Sequence, residues 1–154
     1  PVFLRVLGQT EDIWGLPGVE ILADKRNRLG ILRFSRSGGT VEEIVIKEYS
    51  CRGVNKLKSL FMPSKAARAW RGAVALKHKG LETAPPVACL DKRKRGFVAR
   101  SFFLSERING AEEIRYLFRR LSPSDLEPLL SSLARYVSLC HEQATLGICG
   151  CDRS

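Results

Sequence analysis

Two periodicities alternate along the chain. Short apolar runs at residues 19–23 and 31–34 are separated by the polar stretch Asp24, Lys25, Arg26, Asn27 and Arg28, the pattern of a strand, a loop and a second strand. Ser37, Gly38 and Gly39 form a turn into residues 41–49, where the β-branched Ile44, Val45 and Ile46 predict a third strand. From 64 to 79 the period becomes helical. Ala66, Ala69, Trp70, Ala73, Val74 and Leu76 fall on one side of this helix, and Lys65, Arg68, Arg71, His78 and Lys79 on the other. Pro63 and Ser64 signal its start and Gly80 its stop. Its apolar side is expected to pack on the sheet through Trp70.

Pro85 and Pro86 open a strand over 87–90, the charged turn 91–96 follows, and 97–108 resumes strand composition, which predicts a second hairpin. Residues 111–121 suit a short helix. Ser122, Pro123, Ser124 and Asp125 then cap a longer one, whose Leu126, Leu129, Leu130, Leu133, Val137 and Cys140 keep helical spacing to His141. The order of three strands, one helix, two strands and then helices predicts an α+β fold: a five-stranded antiparallel sheet with one packed helix, followed by helical material of another domain. The division falls at 1–108 and 109–154. This order is that of the small lobe of a protein kinase.

Composition narrows the setting. With 44% hydrophobic and 27% charged residues the chain should fold around a core. Its 26 Lys and Arg against 16 Asp and Glu give a formal charge of +10, which favours polyanionic partners such as nucleotides, nucleic acid or an anionic membrane face. No apolar run is long enough to span a bilayer, and no signal-peptide pattern opens the chain. Five scattered cysteines make a poor disulfide framework and fit a reducing compartment, so the expectation is cytoplasmic.

Residues 44–49, Ile-Val-Ile-Lys-Glu-Tyr, are similar to the third strand of a kinase, whose lysine holds ATP phosphates. Alternation puts Val45 on the face of Lys47, so an apolar wall for adenine and a cation for phosphate share one surface. The block from Ser64 through Trp70 to Leu76, then Gly80, Leu81, Glu82, Thr83, Ala84, Pro85, Pro86, Val87 and Ala88, resembles the lipopolysaccharide kinase family, the Kdo and heptose kinases. So does the 101–108 strand leading into Asn109 and Gly110, and the resemblance covers about residues 19 to 143. It implies a protein-kinase-like fold, ATP and Mg as cofactors, and phosphorylation of a sugar in a lipid A-Kdo type glycolipid. It further implies that Lys47 anchors phosphate and that Glu106 to Ile108 form the hinge that meets adenine. A protein of this family would work at the cytoplasmic side, peripheral to the inner membrane. Arg68, Arg71 and the 92–95 turn are the candidates for touching that anionic surface.

The pattern also departs from the family. No Asp or Glu lies between Ser64 and Lys79 to pair with Lys47; Glu43, Glu48 and Glu82 are the nearest substitutes in sequence. In place of a glycine-rich phosphate loop stand Lys25, Arg26 and Arg28, with Gly30 at the edge. The helical part holds neither a His-x-Asp loop nor an Asp-Phe-Gly site, and Asp152 occupies roughly the place of the catalytic Asp. The large lobe is thus read as incomplete, and the chain as inactive by itself. The alternative is a pseudokinase or interaction module without catalysis. Nucleic acid is not the expected partner: Phe102 and Phe103 point to opposite faces and make no stacking platform beside the 92–95 charges. The Cys149 and Cys151 spacing is tighter than the usual structural zinc pairs and Cys140 helps build a helix's apolar face, so Cys140, Cys149 and Cys151 beside His141 read as core and tail cysteines. The leucine stripe of the long helix, with Leu126, Leu130 and Leu133 at its centre, is expected to drive self-association or to dock within the chain.

Overall fold

The computed structural model describes residues 12–25, 27–35, 41–51, 53, 57 and 59–148, with side chains as far as 142. Two compact units divide it: Pro1–Lys77 with Glu82–Arg107, and His78–Leu81 with Ile108–Ser154.

The first unit is an antiparallel sheet of five strands, β1 (Val19–Asp24), β2 (Asn27–Ser35), β3 (Val41–Ser50), β4 (Pro86–Lys94) and β5 (Phe97–Glu106), in the order β1-β2-β3-β5-β4. Helix α1 (Lys65–His78) connects β3 to β4. The hairpins are tighter than the sequence suggests. Both ends of the polar stretch 24–28 join the ladder, where Arg28 of β2 stands opposite Asp24 of β1 and pairs with it at 2.6 Å. The 91–96 turn shrinks to Arg95 and Gly96, with φ of 52° and 81°, the left-handed pair that a two-residue hairpin of matching twist needs. The Ser37–Gly39 turn lies outside the described residues.

One face of the sheet builds the core. Ile44 and Ile46 of β3 stand beside Leu32 of β2 and Leu104 of β5, with Phe102 and Ala88 completing the layer. The cover is a short 3-10 helix, Ile13–Gly15, capped by the Asp12 side chain on the Trp14 N–H. It lowers Ile13 and Trp14 into the cluster, at 0% and 8% exposure. Here the expectation built on Trp70 needs correcting. The tryptophan in the sheet core is Trp14, whereas Trp70 is half-buried and α1 is buried through Ala66 and Ala73. An alanine face lies low and needs no aromatic anchor. Gly30 makes the Trp14 packing possible: a Cβ there would lie 2.7 Å from the indole ring and 2.6 Å from the Glu20 carbonyl oxygen.

The second unit holds α2 (Ile114–Arg120) and α3 (Pro123–Ile148). Ser122 caps α3: its carbonyl accepts from the Leu126 N–H at 2.9 Å and its hydroxyl from the Asp125 N–H. Pro123 fills the first helical position, where its missing N–H costs nothing. Pro128 sits inside the helix but still within its second turn. Among the described residues no helix is long and apolar enough to cross a membrane.

Candidate functional site

Strand register sorts the sequence candidates onto opposite faces. Leu29, Lys47, Phe103 and Cys89 lie directly across from one another on β2, β3, β5 and β4, so their side chains share the face away from the Trp14 core. The next row toward β5's end is Ile31, Val45, Ser105 and Pro86. Val45 and Lys47 therefore share a surface, as alternation predicts. Lys47 is exposed amid half-buried or buried neighbours, with its ammonium 5.5 Å from the centroid of the Tyr49 ring.

Two of the substitute carboxylates are committed elsewhere. Glu43 accepts from Arg33 at 2.7 Å and Arg107 at 2.8 Å, and these guanidinium groups, Arg33 first, hold its carboxyl below the usual range. Glu48 points to the opposite face from Lys47. Burial by itself would push its carboxyl up, but hydrogen bonds from Arg100 and Trp14, helped by the charges of Arg100 and Arg28, bring it below the usual value. Arg100 grips both Glu48 oxygens, at 2.6 and 2.9 Å, and the Trp14 indole N–H donates at 2.6 Å. Glu82 lies beyond α1 and is exposed. Among the described residues no carboxylate forms an ion pair with Lys47.

Arg28 also fails to join Lys47, and Arg26 lies outside the described residues. Arg28 stands opposite Glu48, on the core face, bonded to Asp24 and stacked 5.4 Å over the Trp14 ring. Gly30 is a packing glycine beneath that same ring, not part of a phosphate loop. A cavity of about 410 Å³ opens beside Arg28, lined by Asp12, Asp24, Lys25, Glu48, Ser50 and Arg100 as well. Its three acids and three bases balance, and Arg28 and Arg100 are each paired with an acid of the same lining.

The hinge candidates divide between the units. Glu106, exposed, closes β5: its N–H bonds the Pro85 carbonyl at 2.9 Å, and the Arg107 N–H bonds that of Glu43 at 3.0 Å. Ile108, 55% exposed, begins the second unit. Asp152 lies outside the described residues. So do Cys149 and Cys151, and among the described residues no three His, Cys, Asp or Glu are placed to hold a metal ion. Leu29, Phe103 and Ser105 belong to the Lys47 surface and escaped the sequence reading, since only the register between strands brings them there.

No family model matches the chain, and the searches of curated proteins and of solved structures each returned no match. The fold class rests on the structure alone: the described residues form an α+β fold with a five-stranded antiparallel sheet and three α-helices.

Proposed function

We propose that this chain supplies the nucleotide-clasping part of an ATP-dependent sugar kinase acting on a lipid A-Kdo type glycolipid. The observation that carries the reading is Lys47, the exposed cation within a half-apolar row of Leu29, Phe103 and Cys89, with Val45 next to it on the same face. An ammonium beside an apolar wall suits a ligand with a flat ring and a charged tail, the wall taking the ring and the cation the phosphates. The ring edge would lie toward Glu106 at the end of β5. The element order of three strands, a helix, two strands and then helices supports the kinase-like reading, and the 64–88 block supports the sugar kinase family within it. The chain would work peripherally at the cytoplasmic face of the inner membrane.

The same surface supports a second reading, a nucleotide-binding module without catalysis. What favours it is the commitment of Glu43 and Glu48 to arginines, which leaves Lys47 without the carboxylate that orders such a lysine in an active kinase. A fluorescent ATP analogue should bind weakly, be displaced by ATP, and lose at least about tenfold in affinity in Lys47→Ala, the worth of one charge-assisted phosphate contact. With ATP, magnesium and Kdo-containing lipid A, this chain alone should transfer no phosphate. Lipid phosphorylation that vanishes in Lys47→Ala would reject the module in favour of the kinase; displacement of the analogue by homopolymeric RNA and not by ATP would reject both.

A further inference from the structure

Leu57, Leu60, Phe61 and Met62 carry apolar side chains that folding leaves uncovered. Leu57 is 59% exposed, Leu60 45%, Phe61 86% and Met62 51%. The turn that presents them is not loose at its base. The Leu60 N–H closes on the Leu57 carbonyl at 3.1 Å, and the buried Ser59 hydroxyl accepts from the Val98 N–H of β5 at 3.0 Å. Nearby, the Cys51 N–H bonds the Ala99 carbonyl at 3.3 Å. An apolar tip is thereby held out from a fixed base.

Its electrostatic surroundings are one-sided. Between Tyr49 and Lys77 the sequence has six Lys and Arg and no Asp or Glu. Lys65 and Arg68 occupy the first turn of α1, just past Met62, and Arg71 follows one turn on. The Ser59–Val98 bond also brings the tip to the start of β5, three residues from the hairpin turn, where four successive basic residues end at Arg95. Two basic stretches distant in sequence thus flank one apolar tip within the same compact unit.

We propose that this turn is a membrane-insertion element, with Phe61 and its neighbours entering the interfacial region of an anionic bilayer while Lys65, Arg68 and the 92–95 turn meet lipid phosphates. A protein partner fits less well. A stable protein interface takes roughly 800 Å² from each side, more than four side chains on one short turn provide. A bilayer needs only a few apolar groups at headgroup depth plus basic residues worth about 1 kcal/mol each near the surface, roughly a fivefold change in binding. This deepens the membrane part of the proposed function. Because it is tested with lipid and no nucleotide, its failure and that of the Lys47 reading are distinguishable.

The test is co-sedimentation of the full chain with vesicles of phosphatidylcholine alone and of an equimolar phosphatidylcholine–phosphatidylglycerol mixture. Binding is expected to the mixed vesicles only and to weaken with added salt. Phe61→Ser should lower it about tenfold and Arg68→Gln about fivefold. Phe61→Trp should retain it and add a blue-shifted emission on the mixed vesicles. Since Phe61 lies at the surface, circular dichroism should show all three variants folded. Equal binding to both vesicle types, binding to neither, or binding indifferent to Phe61→Ser would overturn the proposal. Self-association abolished by Phe61→Ser, without lipid binding, would assign the turn to a second copy of the chain and overturn it too.

Discussion

The indole N–H of Trp14 donates to the Glu48 carboxylate at 2.6 Å, joining the short 3-10 helix to the third strand across 34 residues of sequence. Arg100 of β5 holds the same carboxylate with two bonds, so three segments meet on one buried acid. Removing that acid leaves the Arg100 guanidinium and the indole donor unpaired. Glu48→Ala should cost about 2–4 kcal/mol in chemical denaturation. Trp14→Ala should cost about 3–5 kcal/mol, and the same change at half-buried Trp70 clearly less.

The pair also sets an acid limit. Since Glu48 is held below its ordinary value of 4.5 in the folded chain, the stability it contributes is complete above that value and is lost as the pH falls through it toward the folded-state value. Thermal unfolding followed from neutral pH downward should show the midpoint dropping in that window. In Glu48→Gln the drop should be smaller. An equal drop in both proteins would place the acid sensitivity on other carboxylates.

Gly30 gives a sharper test of the core face. An added methyl group would meet the Trp14 ring at 2.7 Å and a backbone carbonyl at 2.6 Å, and the carbonyl cannot rotate away. Gly30→Ala should therefore destabilise the chain by about 3 kcal/mol and shift the Trp14 fluorescence. If Gly30 served a phosphate loop instead, stability would hold and only nucleotide affinity would change.

On α3 the leucine stripe remains open to solvent: Leu130 is 45% exposed, Leu133 37% and Val137 45%, whereas Leu126 is half-buried. Burying each such side chain is worth about 1.5–3 kcal/mol. The chain should self-associate through this stripe, and Leu130→Glu or Leu133→Glu should return it to monomer by sedimentation velocity without altering thermal stability. Association that survives both changes would exclude the stripe.

Local pattern made the elements legible. The five strands and α1 follow from period-two runs, β-branched clusters and the Pro63–Ser64 start, because each is written in consecutive residues. The site was only half legible. Val45 and Lys47 sit on one strand, so alternation alone pairs them. Leu29, Phe103 and Ser105 join them only through the register of three strands, which no local signal specifies. Pairing likewise placed Arg28 opposite Glu48, so this arginine stands on the opposite face from Lys47. Trp70 misled for a related reason. A large aromatic on an amphipathic helix suggests an anchor, whereas the 3-10 helix that carries the actual anchor, Trp14, is three residues long and leaves no periodic trace.

The nucleotide reading rests on a choice between two faces of one sheet. Titrating the isotopically labelled chain with ATP and following backbone amide resonances separates them. Shifts should concentrate at Val45, Lys47, Phe103 and Glu106, with the amides of Arg28, Glu48 and Arg100 still, and they should disappear in Lys47→Ala. Shifts centred on Arg28 and Arg100, or a pattern untouched by Lys47→Ala, would contradict the assignment of nucleotide to the Lys47 face.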